Sequence, residues 1–192
     1  SRRLNTNIYE NAKGSKALDR RPFPPGQHGR TRRRNAGSEY LAQVQEKQKA
    51  KYIYGVLERQ FRLTYEEATR LAGPTGENLL RLLEQRLDNI VFRAGWGATR
   101  PQARQFVNHG LIPVDGKRVD IASFRVKRGH VISLAPKAKE MIQITHNIDT
   151  LDRPLVGWLE AGDKQVTVRD LPQREHIDVP VREQLIVELY SK

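Results

Sequence analysis

The chain contains no cysteine, one methionine and two tryptophans in 192 residues. Without thiols, disulfides, thiolate metal sites and cysteine nucleophiles are excluded. No apolar run approaches the roughly 20 residues a membrane helix needs, and no hydrophobic signal-peptide core is visible. The expected location is therefore the cytoplasm, with no membrane partner. Negative charge is the scarcer sign: 22 Asp/Glu stand against 34 Lys/Arg, a formal net charge of +12. His28, His109, His130, His146 and His176 are scattered, without the close pairs that metal sites use. There is no phosphate loop ending in Lys-Ser or Lys-Thr and no G-x-S-x-G elbow. No catalytic constellation remains, so the reading is a non-enzyme with no cofactor, metal or small-molecule substrate.

What is present is a polyanion binder with a charge gradient. Residues 1–34 carry 10 Lys/Arg against 2 Asp/Glu, and residues 35–139 carry 18 against 10. Residues 140–192 reverse the balance, with 6 against 10. The nucleic-acid face is expected in the N-terminal two-thirds. Hydrophobic residues, at 38%, suffice for one large or two small cores.

The densest stretch is Arg86 to Val119, RLDNIVFRAGWGATRPQARQFVNHGLIPVDGKRV. Thr99 with Gln102 reads as a capping box, Pro101 suits the first turn, and Gly110 suits a left-handed stop. Ala103, Phe106 and Val107 share an apolar face, while Arg100, Arg104 and Asn108 share another at i, i+4, i+8. Asp115-Gly116 signals a type I′ hairpin, which needs positive φ at both positions. Lys117 and Arg118 leave that turn on the solvent side. Asp88 is read as structural, pairing with an Arg or capping backbone, and Trp96 as a packing residue.

Before this stretch, Ser1 to Tyr9 reads as a short basic helix. KALDRRPFPPGQHGRTRRR, Lys16 to Arg34, cannot build a core and reads as an extended arm that orders on RNA. Ser38 caps a helix with Gln43, Lys47 and Lys51 on one face and Gly55 as the break that ends it. A second helix follows, with Ile53, Leu57, Phe61, Tyr65 and Ala68 on its apolar side and a Glu58–Arg62 pair. Thr75 starts a core-facing helix with Leu79, Leu83 and Leu87, from which Arg81 and Arg86 point elsewhere. Beyond Val119, Phe124, Val126, Val131, Ile132 and Leu134 mark short strands. A helix is expected from Pro136 with Met141, Thr145 and Ile148 together, then a strand over Gln165–Arg169 and a closing helix over Val181–Leu189. The fold class is α+β: an all-helical N-terminal domain with an extended basic arm, a mixed RNA-binding domain of short helices on a small mainly antiparallel sheet, and a C-terminal helix returning to the first domain. The expected divisions are 1–37 (arm), 38–85 joined by 174–192 (helical domain), and 86–173 (RNA-binding module).

RPFPPGQHGR, Arg21 to Arg30, and SEYLAQVQEKQKAKYIYGVLERQFR, Ser38 to Arg62, resemble the family of bacterial small-subunit ribosomal protein number four. So do TGENLLRLLEQRLDNIVFRAGWGATRPQARQFVNHG, Thr75 to Gly110, and EQLIVELYSK, Glu183 to Lys192. Arg86 to Val119 alone resembles a wider RNA-binding module, found also in some pseudouridine synthases, tyrosyl-tRNA synthetases and a heat-shock protein. The resemblance implies a structural protein of the small ribosomal subunit that binds a multi-helix junction in the 5′ domain of its ribosomal RNA and nucleates assembly. It also implies neighbouring ribosomal proteins where mRNA enters, with mRNA a further candidate contact, and a part in translational accuracy. In some bacteria the family also controls translation of its own operon. Carried over by residue, the module's helix lands on Thr99, Arg100, Gln102, Arg104, Asn108 and His109, and its turn on Lys117 and Arg118. The arm lands on Arg20, Arg21, Gln27, His28, Arg30, Arg32, Arg33 and Arg34. Arg2, Arg3, Lys47, Lys49, Lys51, Arg59, Arg62 and Arg86 complete the expected RNA face. The N-terminal cysteines that hold metal in many relatives are missing here, so no metal site is carried over. Two other readings stay open on the module alone: an RNA-modifying or RNA-charging enzyme, which needs a further domain, and a DNA-binding architectural protein.

Overall fold

The computed structural model describes residues 1–30, 38–151 and 153–191. These fall into two compact units, Ser1–Leu79 with Val179–Lys192, and Leu80–Asp178.

The first unit is helical. The expected helix over Ser1 to Tyr9 is only a 3₁₀ turn, Arg2–Leu4. Asn5 and Glu10 take left-handed φ values of 48° and 51°, and the Asn7 amide donates to the Asn11 carbonyl (2.8 Å) and the Ser15 hydroxyl (3.0 Å). Side chains that bond nearby backbone in this way compete with helix formation. Asn11 then caps α1, Ala12–Arg20, its Oδ1 accepting from Gly14 N at 2.7 Å. The arm therefore opens as helix, and extended turns begin only at Arg21.

Ser38 caps α2, Glu39–Ile53, as expected, with Oγ accepting from Leu41 N. Gly55, at φ 64°, turns the chain into α3, Glu58–Arg70. That turn corrects the expected continuous apolar stripe: Leu57 caps α3 and is 80% exposed, while Phe61, Tyr65 and Ala68 are buried. α4, Thr75–Glu84, follows, and the closing helix is α9, Glu183–Tyr190. α9 packs on α2, where Gln43 donates to Glu188 (3.3 Å) and Glu46 accepts from Arg182 N (3.0 Å). The Tyr190 ring lies 4.5 Å from that of Tyr65.

The second unit is α+β, so the two units together give the expected class. α5 is Leu87–Arg93 and α6 Arg100–Asn108, packed on each other. Strands β1 (Pro113–Val114), β2 (Lys117–Arg118), β3 (Val131–Ser133), β4 (Leu159–Gly162) and β5 (Gln165–Val168) form one antiparallel sheet in the order β2-β1-β3-β5-β4. Val114, Ile132 and Val166 align across it and are buried with Leu87, Phe92, Phe106 and Trp158.

Two expectations fail here. Phe124 and Val126 make no strand, because their backbone serves the α4–α5 corner: Leu87 N donates to Phe124 O (2.8 Å) and Val126 N to Gln85 O (2.9 Å). The helix from Pro136 stops at Lys139 (α7, Pro136–Lys139) and restarts as α8, Ile142–Thr150. The break shifts the phase, so Ile144 and Asn147 face inward while Thr145 and Ile148 are exposed.

Candidate nucleic-acid interface

In the second unit the site is built on α6 and the β1–β2 hairpin. Thr99 Oγ1 accepts from Gln102 N at 3.3 Å, starting the helix. The reciprocal half of the box is displaced by one residue: Gln102 Oε1 accepts from Ala98 N at 2.7 Å. Ala103, Phe106 and Val107 are buried, fixing the rotation of α6. That rotation leaves Arg104, Asn108 and His109 exposed. At the far end Gly110 takes φ 68° and its N–H donates to Val107 O at 2.8 Å. Asp115 and Gly116 take φ 49° and 73°, the pair of positive values that a type I′ turn needs.

The hairpin comes back against the helix. A β-carbon at Gly110 would fall 2.5 Å from Arg118 Nε, so the Arg118 guanidinium lies across the last turn of α6. A cation is favoured there by the carbonyl end of the helix. The Arg118 guanidinium thus stands next to the segment carrying His109, and His109, Lys117 and Arg118 are all exposed. The hairpin tip is also tied to β3: Asp115 N donates to Val131 O and Val131 N to Asp115 Oδ1, both at 2.8 Å. That tie brings the turn carrying Lys127 and Arg128, also exposed, to the same end of the sheet. These two cations were not among the expected site residues; the basic pair ahead of Gly129 was the signal available.

Three expected contacts of this unit point inward instead. Arg86 is buried, Nε donating to Asp88 Oδ1 (3.0 Å) and Nη2 to Oδ2 (2.7 Å). Asp88 also accepts from Asn89 N at 2.9 Å, so it both pairs with arginine and caps backbone, as read from the sequence. Arg100 is 6% exposed; Nε donates to Asn89 Oδ1 at 2.9 Å and its guanidinium lies 4.2 Å from the Phe92 ring centre. The three-residue polar face of α6 thus loses its first member, because Arg100 is tucked against α5. Gln102 spends its carbonyl oxygen on Ala98 and on Asn147. Trp96 is buried, a packing residue as expected.

In the first unit, Arg3, Arg20, Arg21, Gln27, His28, Arg30, Arg59 and Arg62 are exposed. Arg32, Arg33 and Arg34 lie outside the described residues. Arg2 is turned inward, donating to Phe23 O and Pro24 O at 3.2 Å each. Within α1, Lys13, Lys16 and Arg20 follow at i, i+3, i+7 and form one exposed basic stripe. Lys13 and Lys16 were missed because this segment read as arm rather than helix.

The lysines of α2 correct the expected cationic face. Lys47 and Lys51 both hold the Glu58 carboxylate, at 2.5 and 3.2 Å, and Lys49 holds Glu46 at 2.5 Å. Gln43 is fully buried. Glu58 pairs with these lysines rather than with Arg62, which pairs with Glu66 at 3.2 Å. Burial would raise the Glu58 carboxyl, but the hydrogen bonds and charges of Lys47 and Lys51 outweigh it and hold it below the ordinary carboxylate value. Burial, with the Glu58 charge beside it, pushes the Tyr190 hydroxyl well above its ordinary range.

Among the described residues no group of three or more His, Asp or Glu is placed to hold a metal ion. No helix among them is long and apolar enough to cross a membrane.

A helical unit followed by a module with a capped basic helix and a basic hairpin has the make-up of a nucleic-acid-binding protein. The family model described as "Ribosomal protein S4/S9 N-terminal domain" matches residues 1–84, and the one described as "S4 domain" matches residues 85–132. The chain is 52% identical over 195 residues to the small ribosomal subunit protein uS4 of Rhodococcus opacus (strain B4), covering 100% of this chain and 94% of that protein. With the same coverage it is 51% identical to the uS4 protein of Nocardia farcinica (strain IFM 10152) and 50% identical to that of Mycobacterium avium (strain 104). The chain belongs to the uS4 family of small ribosomal subunit proteins.

Proposed function

We propose that the chain is a structural constituent of the small ribosomal subunit that binds small-subunit ribosomal RNA. The observation that supports this is the seating of Arg118 against the end of α6, with Arg104, Asn108 and His109 exposed on that segment and Lys117 exposed on the same hairpin. Guanidinium forks and ammonium groups in such an array match phosphate oxygens along a folded RNA backbone. An array of cations on a helix and a hairpin suits recognition of RNA shape and backbone. Lys127 and Arg128 extend this surface, and the α1 stripe with the exposed arginines after it supplies a second one. The finer reading places the RNA contact at a multi-helix junction in the 5′ domain, early in assembly. It places protein neighbours where mRNA enters, in the cytoplasm, with a bearing on accuracy. This part rests on the family resemblance.

The test is co-sedimentation with small subunits after a high-salt wash, joined to footprinting of the RNA. Protection clustered at one multi-helix junction is the expected result. A chain that stays in the free pool after the wash would overturn the reading.

A further inference from the structure

Asn147 and Arg153 lie outside residues 85–132, the span matched by the module's family model, yet both side chains close on the loop that feeds α6. Asn147, 6% exposed, donates Nδ2 to Trp96 O (2.8 Å) and to Gln102 Oε1 (3.2 Å). Gln102 Oε1 is also the acceptor for Ala98 N, so one oxygen ties the loop, the first turn of α6 and α8 together. Arg153 donates Nη1 to Phe92 O and to Gly97 O (3.3 Å) and Nη2 to Ala98 O (3.5 Å). Its guanidinium carbon stands 3.8 Å from the Phe92 ring centre, on the ring that Arg100 also covers. The end of α5, the loop and the start of α6 are therefore held from outside the module. Slack is small: a β-carbon on Gly97 would meet Ala103 Cβ and N at 2.9 Å.

We infer that Asn147 and Arg153 are positioning residues for the RNA-binding helix, setting the angle at which α6 presents Arg104 and Asn108 to phosphate. The inference rests on the function proposed above. Neutral Asn147 is buried, so it acts through Trp96 and Gln102 and not by touching RNA. Arg153 acts through a planar fork that spans several carbonyls, a geometry an ammonium group does not reproduce. A tilt of the helix misplaces two contacts at once without removing a charge from the surface.

The test uses the full chain and a transcript of small-subunit ribosomal RNA in filter binding, at a temperature where circular dichroism shows every variant folded. Asn147→Ala and Arg153→Lys are each made in the wild-type background and in Arg104→Ala/Asn108→Ala. Each is expected to weaken binding roughly fivefold in the wild-type background, within the range of coupling through packed networks, and to change nothing in the double variant. A merely structural role moves the melting temperature equally in both backgrounds and leaves binding below it unchanged. An equal loss of affinity in both backgrounds, or no loss in the first, overturns the inference. Arg153→Lys that does not fold leaves Asn147→Ala to decide. A wild-type chain that binds the transcript no better than unrelated RNA of equal length overturns the proposed function itself, an outcome separate from either of these.

Discussion

Arg86 and Asp88 form a two-pronged ion pair with side chains only 6% and 5% exposed, Nη2 standing 2.7 Å from Oδ2. The same carboxylate lies 3.9 Å from Nη1 of Arg104, which is half exposed on α6. One buried acid thus faces a structural arginine on one side and a surface arginine on the other. Leu87 N and Asp88 N donate to Phe124 O and Ala122 O, so the pair sits at the corner where α4, α5 and the segment after β2 meet.

The first prediction concerns this pair. Removing one partner strands a charge away from water, and such losses cost about 3–5 kcal/mol. Asp88→Asn and Arg86→Ala should both lower the unfolding free energy from urea titration by that order, and their effects should not add, since either one breaks the same contact. Additive losses in a double-variant cycle would show that the two side chains are not coupled.

Much of α6 and its hairpin was legible because local chemistry fixes it. A capping hydroxyl, an early proline, a terminal glycine and Asp-Gly each demand one backbone conformation. Which polar side of a helix meets solvent is a tertiary property, and there the reading failed. Arg100 shares a spacing with Arg104, but the packing of α6 on α5 buries Arg100 and leaves Arg104 outside. Lys47 and Lys51 also keep their expected helical register. Glu58 draws them inward from beyond the Gly55 turn, a break legible in the sequence although the pairing across it was not. In α1 the error ran the other way, since Asn11 and Gly14 start a helix where the arm's composition suggested extended chain.

The second prediction concerns pH. The Glu58 carboxyl is held below its ordinary value by Lys47 and Lys51 against the opposing effect of burial. A carboxyl with a lowered folded-state value contributes stability that is complete above its unfolded value and lost as pH falls through the folded one. Glu58→Gln should therefore cost stability at pH 7, and the gap from wild type should close as pH falls through the lowered folded-state value. Glu58 is 47% exposed, so solvent screening keeps the gap under about 1 kcal/mol. Paired urea titrations at pH 7 and at acid pH check it; a gap that widens on acidification contradicts the assignment.

The third prediction tests the close approach of the loop to α6. A methyl at Gly97 would collide with backbone N of Ala103 as well as its side chain, so the helix must move. Overpacking of this kind costs about 1–3 kcal/mol. Gly97→Ala should lower the melting temperature and weaken RNA binding together. Gly95→Ala meets no neighbour and strains only φ, which stands at 74°. It should therefore cost stability and leave the affinity of the folded chain unchanged. Equal binding by both variants would separate the loop from the RNA surface.

The last prediction separates exposed from buried arginines by salt. A cation that replaces a counterion on RNA contributes about one unit or slightly less to the slope of log affinity against log salt. Arg104 on α6 and Lys117 on the hairpin are exposed, so Arg104→Ala and Lys117→Ala should each flatten that slope by about one unit. Arg100 is buried against Phe92 and bonded to Asn89, so it releases no counterion. Arg100→Ala should reduce stability, and the folded fraction should keep the wild-type slope. A flattened slope for Arg100→Ala, or an unchanged one for Arg104→Ala, would mean that α6 presents a different face to RNA.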